Sequence, residues 1–569
     1  MSRGRNRRKK LPVGVENFET MIRKDFYYVD KTDLITELLD NWGVVNLFTR
    51  PRRFGKSLNM SMLQSFFSME GDKSIFEGLH ISRETDLCAE YMGQYPVVAL
   101  SLKSVNASTY EDALRMAANV IYETAVPFDY LRSSDRLIRE DRERYVQLLQ
   151  SDMDEATLQA SLRTLTRLLE KHHGRKVIVL IDEYDVPLSK AYENSYYDRM
   201  VQMLRNMFEQ VLKTNPSMEF AVLTGCMRIS KESIFTGLNN LKVLSMGDER
   251  YAEYFGFTDA EVRDILAYYG RMDRYETVRE WYDGYRFGDV GIYCPWDVLN
   301  YCDRLRANPS AAPENYWIHS SGNTAVQRFL HDADTETTRQ EIEQLIAGGT
   351  VEKQLRQELT YREMYASPDN MWSVLFTTGY LTQRGCIESE EGRTRYLLAI
   401  PNREIRSIFI DEIMEMFTVR AASDTVTLER FSSALLNADP DTAGNILGTW
   451  LRSAISVRDT AVRRSRKENF YHGILLGVLS LVKDFRVSSN EESGDGYGDI
   501  LIRADDSDTG IIIEVKYAEN GNLENACKGA LEQIRDRHYE EKLRDEHYER
   551  ILKYGIAFYG KSVCVKMET

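Results

Sequence analysis

The sequence predicts an α/β chain of more than one domain, and three observations carry that reading. Short apolar runs alternate with longer amphipathic stretches from residue 11 to about 250, as they do where buried strands are joined by helical crossovers. A strand-like run there leads through a short loop into Gly55-Lys56-Ser57 and a helical pattern. After about residue 456 the element order changes, with one helix and then new strands. A chain of 569 residues is also too long for a single hydrophobic core.

The candidate strands of the first region are Val44 to Phe48, Val97 to Leu102, Val177 to Ile181, Phe220 to Thr224 and Val243 to Ser245. Helical patterns fill the intervals, including Tyr110 to Thr124 and Ala156 to His172. Buried strands with helical crossovers suit a mostly parallel sheet covered on both faces. From about 256 to 455 helical periodicity dominates, broken by aromatic turn clusters at Trp281 to Tyr285 and Tyr293 to Trp296, which reads as a lid or connector. The segment 456–569 is expected to hold a helix, strands near Ile500, Ile511 to Val515 and Gly555 to Phe558, and a helix from Asn525 to about Glu540. The domain plan is therefore a basic arm 1–10, an α/β domain 11–255, a helical connector 256–455 and a second α/β module 456–569.

Composition narrows the function classes. Hydrophobic residues at 43% and charged residues at 28% are those of a globular chain without long disordered blocks. A net charge of −15 argues against a surface that coats nucleic acid or anionic lipid throughout, although Arg3 to Lys10 and Arg463 to Lys467 are local basic patches. Seven scattered cysteines, none in a CxxC pair, fit reduced thiols in a cytosol and give no zinc site. The basic start lacks a secretory apolar stretch. Phe470 to Val482 is too short to span a bilayer and reads as a buried helix, so a soluble, cytoplasmic protein without a membrane partner is expected.

The loop Arg50-Pro51-Arg52-Arg53-Phe54-Gly55-Lys56-Ser57 has the context of a P-loop. In such a loop the backbone N–H groups and helix N-terminus hold phosphates, Lys56 neutralises the β and γ charges, and the Ser57 hydroxyl reaches Mg²⁺. The motif is incomplete, because Arg50 stands where the standard pattern has glycine. Lys176 to Ile181 then delivers Asp182-Glu183 to a strand tip, Asp182 for the Mg²⁺ shell and Glu183 to orient and deprotonate water. Thr224 ends a third strand and could sense the γ-phosphate. Arg52, Arg53 and Arg228 are candidates for phosphate contact or for action in trans, with packing an equal alternative. An arginine acting in trans would need neighbouring copies, which leaves a homo-oligomer open.

Near the C-terminus Glu468 lies on a predicted helix, Asp499 precedes an apolar strand, and Glu514-Val515-Lys516 ends the next. Alternation puts Glu514 and Lys516 on one face. Asp499 and Glu514 could share a Mg²⁺ with the Val515 carbonyl, and Lys516 could stabilise the nucleophile or the developing phosphorane charge. Gln533 and Tyr539 follow as candidates for orienting water or contacting a nucleic-acid backbone. The ordinary alternative is a solvated Glu–Lys pair. His172 and His173 read as a helix end and His472 as core packing.

The whole set resembles the AAA-ATPase-like proteins that carry a C-terminal PD-(D/E)XK nuclease-superfamily domain. The resembling stretches are Leu11 to Val15, Tyr28 to Thr32, Arg50 to Ser57, Ile181 to Asp185, Thr224-Gly225, Arg228 to Glu232 and Gly237 to Leu241. They continue through Tyr282 to Tyr285, Glu468, Tyr471 to Gly473, Ser489-Asn490, Gly498-Asp499, Glu514 to Lys516 and Ala530 to Ile534. The resemblance implies a P-loop ATPase with a parallel sheet, a helical connector and a restriction-endonuclease-like α/β domain. It implies ATP and Mg²⁺ as cofactors, and nucleic acid, DNA ahead of RNA, as substrate. It further implies that Arg50 is normal for the family, and that Glu468, Asp499, Glu514, Lys516 and Gln533 occupy the nuclease positions. A place in defence against mobile elements or in mobile-element biology is the corresponding biological expectation. One departure is Tyr497, where such proteins commonly carry arginine. The alternative function is a nucleotide-dependent switch or nucleic-acid-binding module whose nuclease fold is inactive.

Overall fold

The computed structural model describes residues 8–150, 152–227, 234–235, 238–317, 324–332, 336–356, 358–364, 366–388, 394–453, 464–493, 496–505 and 508–569. Arg228 to Ser233, Gly237, Arg463 and most of the basic arm lie outside that set, as do the side chains of Arg464 to Arg466, Asn490 and Tyr497. Two compact units emerge: 1–325 with 352–404, and 326–351 with 405–569.

The first unit is built on five strands: β1 (Val45–Thr49), β2 (Val97–Ser101), β3 (Val177–Asp182), β4 (Met218–Gly225) and β5 (Leu241–Leu244). All pair in parallel, in the order β2-β3-β4-β1-β5. Each lies within a residue or two of the run expected from the sequence. β1 and β3 are buried along their whole length, as a sheet covered on both faces requires. β4 sits between β1 and β3, so the strand tips carrying Arg50, Thr224 and Asp182 stand side by side.

The crossovers include α1 (Lys56–Phe67), α2 (Tyr110–Ala125), α3 (Glu155–His173) and α4 (Tyr197–Leu212). Thr109 and Asp154 cap α2 and α3 by accepting from Asp112 N and Thr157 N, contacts worth about 1 kcal/mol each. Gly174, at φ +70°, ends α3 after His173, as expected. His172 and His173 pair with Ser134 and Tyr130 at 2.7 and 2.8 Å.

Beyond the sheet the same unit contains α5 (Asp259–Tyr269), α6 (Pro295–Ala307) and a hairpin of Tyr285–Phe287 with Val290–Ile292. The Tyr28-to-Thr32 stretch is a brace here. Lys31 is buried and its Nζ meets Glu261 Oε1 at 2.5 Å and Glu253 O at 2.6 Å, holding the Thr258–Glu261 capping box of α5. The aromatic corners are structural, since Trp281 packs under Arg403 and Trp296 under Arg53 at 4.5 and 4.3 Å.

The second unit contains α7 (Arg464–Leu479) and a five-stranded mixed sheet of β6 (Phe485–Ser493), β7 (Gly496–Ala504), β8 (Thr509–Tyr517), β9 (Arg550–Tyr559) and β10 (Ser562–Glu568). β6, β7 and β8 run antiparallel, β8 and β9 parallel, β9 and β10 antiparallel. The parallel pair is joined by α8 (Leu523–Asp536), the crossover such a pair needs. Leu501 of β7 pairs with Ile512 of β8, and both pack with Leu531, Ile534, Tyr539 and Leu543. No helix among the described residues is long and apolar enough to cross a membrane.

Candidate functional site

In the first unit the loop from β1 to α1 turns at two left-handed residues, Arg53 at φ +72° and Gly55 at φ +81°. A Cβ on Gly55 would meet nothing within 4 Å, so conformation and not space is what calls for glycine there. The residue expected to need glycine, Arg50, has no positive φ and a fully buried side chain. Its Nη1 donates to Thr49 O and to Leu244 O of β5, both at 2.9 Å. The guanidinium lies 5.1 Å from the Phe255 and Phe287 ring centres. Burial pushes its pKa down to about 10, which leaves it charged at neutral pH. Arg50 therefore braces the loop against β5 and the aromatic wall.

α1 makes its first helical hydrogen bond from Asn59 N to Gly55 O at 3.0 Å, so the amides before Asn59 have no acceptor within the helix and form the usual seat for an anion. Lys56 is buried, and its Nζ donates to Arg50 O at 3.0 Å and Pro51 O at 2.8 Å. Ser57 Oγ donates to Asp182 Oδ2 at 2.6 Å. Thr224 Oγ1 donates to Asp182 Oδ1, and Glu183 N to Thr224 Oγ1 at 3.4 Å. The first turn of α1 and the tip of β4 thus converge on the one carboxylate that ends β3. Glu183 has φ +50°; burial raises its carboxyl above the ordinary range, with the Lys56 charge opposing and that of Asp182 adding. A carboxylate whose pKa is raised is a stronger base than an ordinary one, which suits a group that accepts a proton.

The two other arginines divide. Arg52 is exposed at the loop tip, near enough to Glu183 and Asp185 for their charges to register on it. Arg53 is held elsewhere, by Tyr316 O at 3.0 Å and the Trp296 ring; packing occupies it.

Sequence reasoning missed two participants. Asp185 is buried, and its Oδ2 accepts from Cys226 N at 2.9 Å and Met227 N at 3.0 Å. It thereby fixes the turn after Thr224. Gly225 belongs to that clamp, since a Cβ on it would lie 2.5 Å from the Tyr184 ring. Lys103, just past β2, registers on Glu183 while its Nζ meets Glu16 at 3.1 Å. The run Asp182-Glu183-Tyr184-Asp185 was a signal for the first; nothing in the local sequence marks Lys103.

In the second unit Asp499 Oδ2 accepts from Val515 N at 2.8 Å, which puts the Asp499 carboxylate beside Glu514. Glu514 is buried. Its carboxyl is pushed up to about 7 by burial and by the Asp499 charge, with Lys516 opposing. Lys516 Nζ meets Glu514 Oε1 at 2.8 Å, while Glu514 Oε2 has no hydrogen-bond partner among the described residues. A buried carboxylate oxygen left unmatched next to a second carboxylate is a donor set short of a cation. Asp499, Glu514 and the Val515 carbonyl therefore fit a hard divalent ion, as Ser57 and Asp182 do in the first unit. Among the described residues no group of three or more His, Cys, Asp or Glu side chains has metal-holding geometry, so both sets would rely on oxygen donors outside that group.

Glu468 Oε1 accepts from Tyr517 N at 3.2 Å, at the end of β8. Gln533 Nε2 donates to Tyr539 Oη at 3.2 Å. His472 is not merely packed, since its Nε2 lies 2.9 Å from Asp499 O and 3.1 Å from Ser489 Oγ.

Comparison with known proteins agrees with this division. Residues 12–235 match the family model described as "Predicted AAA-ATPase" and residues 466–568 match that of the PD-(D/E)XK nuclease superfamily. A protein of Azotobacter chroococcum mcd 1 described as "Uncharacterized protein in vnfD 5'region" is 28% identical over 422 residues, which is 73% of this chain and 72% of that protein. The chain thus joins an AAA-ATPase-like N-terminal region to a C-terminal region of the PD-(D/E)XK nuclease superfamily.

Proposed function

We propose that this protein binds and hydrolyses ATP in its first unit and cleaves phosphodiester bonds of nucleic acid, DNA ahead of RNA, in its second. The observation that carries the reading is the arrival of separate elements at one carboxylate in each unit: Ser57 and Thr224 on Asp182, and the Val515 amide on Asp499 beside Glu514.

In the nucleotide site the Gly55–Ser57 turn receives the phosphates on backbone N–H groups. Lys56 exchanges its bonds with the Arg50 and Pro51 carbonyls for phosphate oxygens, and Glu183 takes the proton of the attacking water. In the nuclease centre Lys516 stabilises the nucleophile or the developing negative charge, and Gln533 orients water or the backbone. Mg²⁺, when bound by Ser57 and Asp182 or by Asp499, Glu514 and the Val515 carbonyl, supplies charge neutralisation at the transferring phosphoryl group. We place the functional boundaries near residues 255 and 455, and the protein in the cytoplasm, where it acts on mobile or invading nucleic acid.

The test is incubation of the purified protein with single- and double-stranded DNA and RNA, with and without ATP and Mg²⁺. Mg²⁺-dependent cleavage that disappears in Asp499→Ala, together with ATP turnover that disappears in Lys56→Ala, is the expected result. ATP turnover without cleavage of any substrate would replace the nuclease half by a nucleotide-dependent switch.

A further inference from the structure

We propose that His472, aided by Ser489, is a positioning residue that sets the Asp499 carboxylate for cation binding, an inference that rests on the nuclease reading above.

The argument begins with α7. Tyr471 fixes this helix on the sheet, stacking on Phe558 at 4.4 Å with its ring almost parallel and donating its hydroxyl to Gly560 O at 2.7 Å. Residues four apart share a helix face, so Glu468 and His472 are presented together. Each takes a backbone group of a different strand: Glu468 the Tyr517 amide of β8, and His472 the Asp499 carbonyl of β7. The two strands that supply the acidic pair are thereby gripped by one turn of a single helix.

The tautomer follows from the chemistry of the acceptor. A carbonyl oxygen only accepts, so the His472 Nε2 at 2.9 Å must carry the proton. Ser489 Oγ, 3.1 Å from the same nitrogen, then accepts the weaker branch of a shared hydrogen bond and steers the ring.

The Asp499 residue is consequently held at both ends. Its carbonyl is fixed by His472 and its Oδ2 by the Val515 amide. The paired register of β7 with β8 runs from Arg503–Gly510 to Ile500–Ile513, and these side-chain bonds take over just beyond it. Groups that orient a ligating residue commonly change metal affinity 10- to 100-fold when removed.

The test measures Mn²⁺ binding by electron paramagnetic resonance on the full chain, in an Asp182→Asn background that silences the nucleotide site. The parent should bind and Asp499→Ala should not. His472→Gln, whose amide reaches where Nε2 stands, should bind within about threefold of the parent, whereas His472→Asn, too short to reach the Asp499 carbonyl, should bind ~10-fold more weakly. Both substitutions keep a polar side chain on a half-buried helix face, and melting temperatures that match each other separate positioning from loss of fold. Equal Mn²⁺ affinity in the Gln and Asn variants would overturn the role of His472. Equal binding by the parent and Asp499→Ala would overturn the site itself, and this inference with it.

Discussion

Restoring glycine at residue 50 completes the standard phosphate-loop pattern, yet Arg50→Gly should damage the protein. The substitution removes two charge-assisted hydrogen bonds, to Thr49 O and Leu244 O, of about 1.5–3 kcal/mol each. It also removes the guanidinium between Phe255 and Phe287, worth ~2 kcal/mol when desolvated, and leaves a cavity between those rings. Set against this is relief from burying a cation whose Nε and Nη2 have no hydrogen-bond partner among the described residues. The net expected loss is ~3 kcal/mol, a fall of about 4 °C in melting temperature for a unit of this size. Arg50→Met keeps most of the volume without the charge and should lose less, about 1 kcal/mol, because apolar replacement of a buried charge is often close to neutral. Thermal unfolding with and without a fluorescent ATP analogue reads both effects. Because the loop loses its tie to β5, Arg50→Gly should also bind the analogue at least ~10-fold more weakly, a change of about 1.4 kcal/mol. A glycine variant as stable as the parent, and binding nucleotide more tightly, would show that Arg50 is a decayed glycine and not a brace.

Other outcomes follow from the same geometry. Glu183→Gln should retain nucleotide binding while ATP turnover falls at least ~100-fold; normal turnover would remove Glu183 from the role of base. Thr224→Val, which preserves shape but deprives Asp182 Oδ1 of the Thr224 hydroxyl while leaving the Ser57 bond to Oδ2, should cost about 1.5–3 kcal/mol in stability, read by urea unfolding, and no change would mean that the hydroxyl holds nothing. Lys516→Ala should abolish nicking of supercoiled plasmid in Mg²⁺, and persistent nicking would exclude it from the centre. Burial raises the carboxyl of Asp297 from 3.8 to about 6, against the opposing hydrogen bonds of the equally buried Glu404 and of Cys294. Between those values the folded state holds more protons than the unfolded chain, so this carboxyl's contribution to stability is full below pH ~4 and is lost as pH rises through 6. Asp297→Asn should therefore gain in melting temperature, relative to the parent, more at pH 7.5 than at pH 5; the same difference at both pH values would contradict the raised value.

The parallel sheet was legible because Val177 to Ile181 and Phe220 to Thr224 are continuous apolar runs, which only strands buried on both faces favour. The order that inserts β4 between β1 and β3 was not written in any local pattern, though the place of Thr224 between the other two tips was anticipated. In the second unit Ile511-Ile512-Ile513 announced β8, while β6 and β10 went unread. Their sequences, such as Arg486-Val487-Ser488-Ser489, mix polar and apolar residues as edge strands do. The same contrast holds at the sites. Lys56, Ser57, Asp182, Asp499 and Glu514 lie in short motifs whose spacing carries the chemistry. His472 and Lys103 contact partners distant in sequence, which periodicity alone cannot supply, and the Arg53 guanidinium contacts the Trp296 ring and Tyr316 O, the packing alternative weighed for it.

The most direct measurement is an anomalous-scattering map from crystals grown with a non-hydrolysable ATP analogue and Mn²⁺. Two peaks per chain are predicted, one touching Ser57 Oγ and Asp182, the other touching Asp499, Glu514 and the Val515 carbonyl. A chain that binds Mn²⁺ at neither carboxylate, or only at surface positions away from both, would contradict the account.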